Sequence, residues 1–409
     1  MSFLCVRKSF GVLLVAGVVF ISASCDTLLT SAPEEGETFD KPLPGLPREQ
    51  QLAFARGDEA FEKRFSFKEG LGPIFNQPAC ESCHPSDGKS HPQTNLIRFG
   101  KNAGGVFDPL IEFGGPQLQD RSIPGVPPEM IPAHANAISV RSGPPVFGVG
   151  LIEAIPDSVI LARADPNDAD GDGISGRPNF VTAPNWVTEK PGPYNGKYLG
   201  RFGRKAGVGF LLQQVATAYS QDMGITSEFL PEENPHPQVG ILGDDVPDPE
   251  VSAATVNDVV SYLRTLAPPK QGPMTEQVQR GKSAFGQIGC NRCHVPTMFT
   301  GTHPTIAPLN RVEVPLYSDL LLHDMGDELV DNFVEGEANG KEWRTTPLWG
   351  LRLFEKQLGG TAFYLHDGQT SDLREAIRAH GGEATSARNL FLALPLGDSE
   401  ALLAFLRSL

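Results

Sequence analysis

Long apolar runs are scarce in this 409-residue chain. The stretch from Phe10 to Ser22 is largely apolar, but it is too short for a comfortable bilayer span. Preceded by Arg7 and Lys8, it has the form of a signal peptide, which we expect over residues 1–24. Basic residues are in deficit: 34 Lys and Arg face 49 Asp and Glu, a formal charge of −15. That balance argues against nucleic acid and suits a basic protein partner drawn in by charge, although solubility alone also accounts for it. Cysteine is sparse too. Of the six, four stand in two short motifs, and the others are Cys5 and Cys25. The segment Ser22-Ala23-Ser24-Cys25 resembles a bacterial lipobox, with Ser22 where an aliphatic residue is usual. We expect Cys25 to be lipidated as the first mature residue, which leaves no cysteine for a disulfide. Cleavage nearby with Cys25 free is the alternative. Asp26 resembles a signal for inner-membrane retention.

The two motifs are Cys80-Glu81-Ser82-Cys83-His84 and Cys290-Asn291-Arg292-Cys293-His294. Cys-x-x-Cys-His is the attachment signal of a c-type haem. The cysteines form thioethers and the adjacent histidine reaches the iron. We therefore expect two covalently bound c-type haems. A single four-cysteine zinc site is the rival, but it leaves both histidines unexplained and needs distant runs to converge. Covalent haem attachment and the export signal both point outside the cytoplasm, to the periplasm of a Gram-negative bacterium.

The halves echo each other. Arg56-Gly57-Asp58-Glu59-Ala60-Phe61 precedes the first motif and Arg280-Gly281-Lys282-Ser283-Ala284-Phe285 the second, both with helical periodicity. Val259 to Leu266 likewise matches Leu402 to Leu409. An opening helix, a haem motif and a closing helix with an aromatic resemble the cytochrome c fold, here used twice. The expected fold is mainly α: two cytochrome c-like domains in tandem, the first enlarged by loop insertions over roughly 90–250. A flexible tether over 25–45 precedes domains at 46–268 and 269–409, which meet at the Pro/Gly linker Ala267 to Pro273. Glycine (44) and proline (36) are abundant enough to predict long loops. Within the insertion, Asp168, Asp170 and Asp172 alternate before Gly173, like the start of a calcium loop. Asn179 occupies the position where an EF-hand has its glutamate.

Further segments complete a resemblance: Gly70-Leu71-Gly72-Pro73, Gly148 to Pro156, Leu199-Gly200-Arg201-Phe202-Gly203, Tyr317 to Gly326, Trp343 to Gly350 and Leu365-His366-Asp367-Gly368. Over most of its length the chain resembles bacterial di-haem c-type oxidoreductases, also called thiol oxidoreductases. These are related to di-haem cytochrome c peroxidases and, more distantly, to rubber oxygenase. In the peroxidases a methionine closes the C-terminal haem, a fixed interval after a His-x-Gly. The residue at that interval here is His380, so the resemblance implies a bis-histidine second haem, His294 with His380. His323, Met325 and His366 are rival ligands, and His380 can also be read as a helix-terminal residue.

The first haem has no obvious distal partner. His91 is too close to His84, and His134, His236, Met130 and Met223 are candidates. By analogy the first haem is the reactive one, and peroxide chemistry there needs a base. Glu153, in an apolar run, is the first candidate and His134 the second. A buried salt bridge of Glu153 with Arg141 or Arg163 is the competing reading. Of Trp186, Trp343 and Trp349, one can lie between the haems, although each also suits plain core packing. The resemblance implies a peroxidase that reduces hydrogen peroxide at the first haem, with electrons from a small redox protein or quinol-linked donor entering by the second. A non-enzymatic electron carrier, or an oxygenase acting on an organic substrate, are the alternatives.

Overall fold

The computed structural model describes residues 36–188 and 192–409. The expected signal peptide, the lipidated Cys25 and the first part of the tether lie outside the described residues. Eleven helices are named here: α1 (Arg48–Glu62), α2 (Cys80–Cys83), α3 (Val149–Ala154), α4 (Asp157–Leu161), α5 (Leu211–Met223), α6 (Ala253–Thr265), α7 (Glu276–Gln287), α8 (Leu351–Gln357), α9 (Leu373–Arg378), α10 (Thr385–Ala393) and α11 (Leu396–Leu406). Helix makes up 33% of the structure and strand 14%, so helices dominate.

The echo in the sequence has a physical counterpart. Helix α1 packs on α6, and α7 packs on α11. On α1 the buried residues are Phe54, Gly57 and Phe61, one stripe at helical spacing. On α7 they are Val278, Gly281, Ala284 and Phe285. The glycine is the point of closest approach in both pairs. A Cβ on Gly57 would lie 2.1 Å from the Asp258 carbonyl oxygen and 2.5 Å from the Tyr262 Cβ. A Cβ on Gly281 would lie 1.9 Å from the Ala401 oxygen and 2.8 Å from the Phe405 Cβ. Each arginine before its glycine bonds an aspartate of the closing helix: Arg56 with Asp258 and Arg280 with Asp398. Ser252 and Thr275 cap α6 and α7 by accepting from Thr255 N and Val278 N.

The insertion is more than loop. It holds α5 and a three-stranded antiparallel sheet, with residues 96–103 between 106–108 and 137–141. The second half has a core cluster of its own, with Val278, Phe285, Phe391 and Phe405, but part of that half packs into the first. Leu309, Leu316, Leu321 and Phe354 from the second half bury in one cluster with Phe61, Phe147 and Tyr262 from the first. The described residues accordingly form one compact unit.

The described end of the tether, 36–45, corrects the expectation of a flexible segment. Phe39 stacks on Phe147 at 4.5 Å between ring centres, and Leu43 is buried. Leu43 N donates to Thr265 O, and Ala267 N donates to Lys41 O. Two apolar side chains and a pair of backbone bonds dock it beside the end of α6.

Candidate functional site

The second motif follows α7 through Gly289, whose φ of +85° turns the chain back on itself. His294 N donates to Cys290 O at 3.0 Å, which brings histidine and cysteines together. The His294 ring lies against Phe285, 6.4 Å between centres. Its Nδ1 is 3.0 Å from Tyr317 O. A carbonyl only accepts, so Nδ1 carries the proton and Nε2 keeps a free lone pair. His380, just past α9, repeats the arrangement: its Nδ1 is 2.7 Å from Ala376 O. Burial lowers the pKa of both imidazoles, and His294, which also feels His380, falls to about 4. Both are therefore neutral near pH 7, with Nε2 ready to ligate. They line one cavity of about 400 Å³ together with Cys290 and Cys293.

The rival ligands sort by their hydrogen bonds. His323 has both nitrogens committed, Nε2 to Asp319 at 2.8 Å and Nδ1 to Glu383 at 2.7 Å. Burial alone would lower its pKa, but the bonds to Asp319, Cys293 and Glu383 raise it well above the ordinary value. It is an imidazolium held between carboxylates. His366 lies flat on Trp343, 3.8 Å between centres and 19° between planes. Burial, then Arg204, Arg141, Lys205 and Lys89, drive its pKa down to about 3. Met325 and His366 both line the cavity.

The first motif forms α2, and His84 N donates to Cys80 O at 3.0 Å. Phe61 stands 6.3 Å from the His84 ring, as Phe285 does from His294. Gly143 closes the other approach, since a Cβ there would lie 2.8 Å from His84 Cε1. Burial lowers His84 to about 4, opposed by the Gly88 and Pro144 backbone. Burial, then Asp222, pushes the Cys80 and Cys83 thiols up to about 12.

Glu153 and the histidine candidates for the distal or basic roles are bonded elsewhere or exposed. Glu153 takes Leu211 N on Oε1 at 2.9 Å and Arg264 Nε on Oε2 at 2.6 Å. It is an ion-pair partner joining α3, α5 and α6, which corrects its reading as a free base; the partner is Arg264, not Arg141 or Arg163. His134 is exposed on a surface loop, edge-on to Phe113. His91 Nδ1 accepts from Gln93 N, and His236 Nε2 bonds Pro127 O. Met130 is 72% exposed, whereas Met223 is buried in the main core.

The acidic loop departs from expectation at one position. Asp165, Asp168 and Asp170 bring ligand oxygens within 4.8 Å of one another. Asp172 instead pairs with Arg292 of the second motif at 2.8 Å, drawn away by that guanidinium. Asn179 is buried and bonds Lys205 O and Glu335 O through Nδ2. Among the described residues, no cluster of potential metal ligands joins the two cysteine pairs, which removes the four-cysteine zinc site.

Sequence reasoning missed a set of buried cations. Arg98, Arg141 and Lys205 surround Glu335 and Asp331. Burial would raise Glu335, but Arg141 and Arg98 hold it down to about 2. Lys89, Arg204 and Arg344 line the cavity itself. Arg344 sits in a motif that carried the resemblance, and Arg204 directly follows one, which was the available signal; Lys89 had none.

A family model described as "Di-haem oxidoreductase, putative peroxidase" matches residues 133–409. The chain belongs to this family. It is thus a di-haem redox protein, and the match contains the second motif, His366 and His380. No curated protein sequence matches the chain. Among solved structures, hydrazine synthase of Kuenenia stuttgartiensis is similar at 14% identity and a TM-score of 0.34, over 98% of this chain and 99% of that one. A MauG-like protein associated with microbial copper homeostasis is similar at 15% identity and a TM-score of 0.37, over 93% and 94%.

The residues at the second motif fit a haem. Two cysteines, two neutral imidazoles with free Nε2 atoms, apolar walls and buried cations face one cavity. That is the donor set and lining a covalently held, carboxylate-bearing porphyrin needs.

Proposed function

We propose that this chain is a di-haem c-type peroxidase built from two cytochrome c-like units that share part of a core. Electrons enter at the second site, and hydrogen peroxide is reduced to water at the first. Bound haem would supply one-electron iron chemistry at each site. Cys80, Cys83 and His84 would hold one group; Cys290, Cys293, His294 and His380 would hold the other.

One observation carries the reading: the sites are unlike. His294 has a second neutral imidazole facing the same cavity, which suits a closed electron-transfer centre. Each named histidine candidate for the distal side of His84 is bonded elsewhere or exposed, which suits an open reactive centre. The protein also supplies a short connection. His84 packs on Gly143; neighbouring Ser142 donates its N–H to His366 O at 2.8 Å. His366 lies on Trp343 at the cavity wall. Of the three tryptophans, Trp343 is therefore our choice for the inter-site position.

The donor we propose is a small redox protein or quinol-linked carrier, reached in the periplasm by a chain anchored through Cys25. The test is electron paramagnetic resonance of the oxidised protein. One high-spin and one low-spin haem are expected, and His380→Ala should turn the low-spin one high-spin. Two low-spin haems in every redox state, with no peroxide turnover, would leave only an electron carrier.

A further inference from the structure

Three cations on the cavity wall lack a counter-charge. Lys89, Arg204 and Arg344 are 4%, 5% and 7% exposed. Their bonded partners are neutral. Lys89 Nζ donates to Phe363 O and Leu365 O at 2.7 and 3.1 Å. Arg204 donates from Nε and Nη2 to Ser142 O and from Nη2 to Ser142 Oγ. Arg344 Nε donates to Gly203 O at 2.9 Å, while its Nη1 is buried with no hydrogen-bond partner. The carboxylates that line the same cavity are already taken: Asp172 by Arg292, and Glu383 by His323 and Ser175. Asp367 and Asp319 act on the three cations only through their fields.

Burying one unpaired charge costs several kcal/mol. Three on one wall therefore imply an anion that belongs there. Burial lowers all three pKa values, Arg204 to about 9 and Arg344 to about 10, as expected for cations awaiting a partner. Leu373, Ile377, Leu402 and Leu406 make much of the remaining lining apolar. The ligand must combine an apolar body with carboxylates.

We propose that Lys89, Arg204 and Arg344 form a carboxylate clamp for the propionates of the haem tethered at Cys290 and Cys293. This rests on the di-haem reading above. Lys89 lies five residues after His84, so the clamp draws one arm from the first unit into the second unit's cavity. Two guanidiniums and an ammonium can accept two carboxylates, with at least one held in a bidentate fork.

The experiment compares the full-length holoprotein with Arg344→Gln, Arg344→Lys and Lys89→Met. Readouts are haem count by mass, the redox titration of the low-spin haem, and its resonance Raman propionate modes. Removing a cation about 12 Å from an iron favours the ferric form about tenfold at an effective dielectric of 20. For one electron that is a downshift of about 59 mV. Arg344→Gln and Lys89→Met should show it; Arg344→Lys should keep the potential yet shift the propionate modes, because the fork is lost. Two haems with potentials and modes unmoved in all variants would overturn the clamp alone. A wild-type protein carrying no haem at Cys290 and Cys293 would overturn the clamp and the di-haem reading together.

Discussion

Replacing Gly281 by alanine sets two effects of opposite sign against each other. Alanine in a helix interior is favoured over glycine by about 1 kcal/mol, so propensity alone predicts a more stable protein. Packing predicts the reverse. The new Cβ would sit 1.9 Å from Ala401 O and 2.4 Å from its carbonyl carbon, where ordinary contacts begin near 3.4 Å. Both atoms are backbone, so no side-chain rotation relieves the clash, and α7 must move away from α11. Overpacking of this kind costs about 1–3 kcal/mol, and a backbone clash belongs at the upper end. We expect a net loss of about 2 kcal/mol, or roughly 2–3 °C in Tm for a unit of this size. Gly286→Ala is the control. It lies in the same helix, and its Cβ would meet nothing closer than Asn291 Nδ2 at 3.9 Å, so propensity should win there and Tm should rise. The separation would also shift Phe285 from the His294 ring, so the visible bands of the second haem should change and those of the first should not. Thermal melts followed by circular dichroism and by the Soret band test both statements. A Tm for Gly281→Ala at or above wild type would refute the close crossing, and with it the matching construction of the two helix pairs.

His323→Ala leaves Asp319 and Glu383 facing each other without their cation, which should cost about 3–5 kcal/mol in a urea melt. The folded fraction should keep a low-spin second haem, and loss of that signal would restore His323 as the ligand. Asp87 accepts from the Tyr262 hydroxyl, and burial raises its pKa to about 7. A carboxyl raised on folding contributes stability that is full below about pH 4 and lost as pH rises through 7, so the wild-type Tm should fall over that window more than that of Asp87→Asn; parallel curves would refute it. Glu153→Gln should lower Tm by weakening the Arg264 pair while leaving kcat per folded molecule intact, whereas a hundredfold loss of kcat would identify it as a base after all. If the loop of Asp165, Asp168 and Asp170 holds calcium, added calcium should raise Tm in wild type but not in Asp168→Asn, and equal Tm values with and without the ion would dismiss the cation.

How much of this was legible follows from where each signal resides. The helix pairs and the haem motifs are local patterns, and spacing along the chain carries them. His380 was found by its interval from His366, again a one-dimensional quantity. Glu153 was misjudged because its neighbours in sequence are apolar, while its partner Arg264 arrives on α6 from 111 residues away. The tether was misjudged through composition, although Phe39 and Leu43 already offered two side chains to bury. Asp172 fits the alternating acidic pattern, and only the fold brings Arg292 within reach of it.

The charge reading shows the same limit from another side. A formal −15 describes a surface and says nothing about how signs segregate inside. Here buried cations gather around the second cavity, with Arg141 and Lys205 against the Trp343 ring and Lys89, Arg204 and Arg344 on the cavity wall. Arg204 matters most, because its field lowers both His84 at the first motif and His366 at the second cavity. Its bonds to Ser142 fix it against the strand of chain that carries Gly143 onto His84. An anion settling beside Arg204 would therefore weaken the positive field at His84 as well. The two motifs are thus coupled electrostatically through one guanidinium.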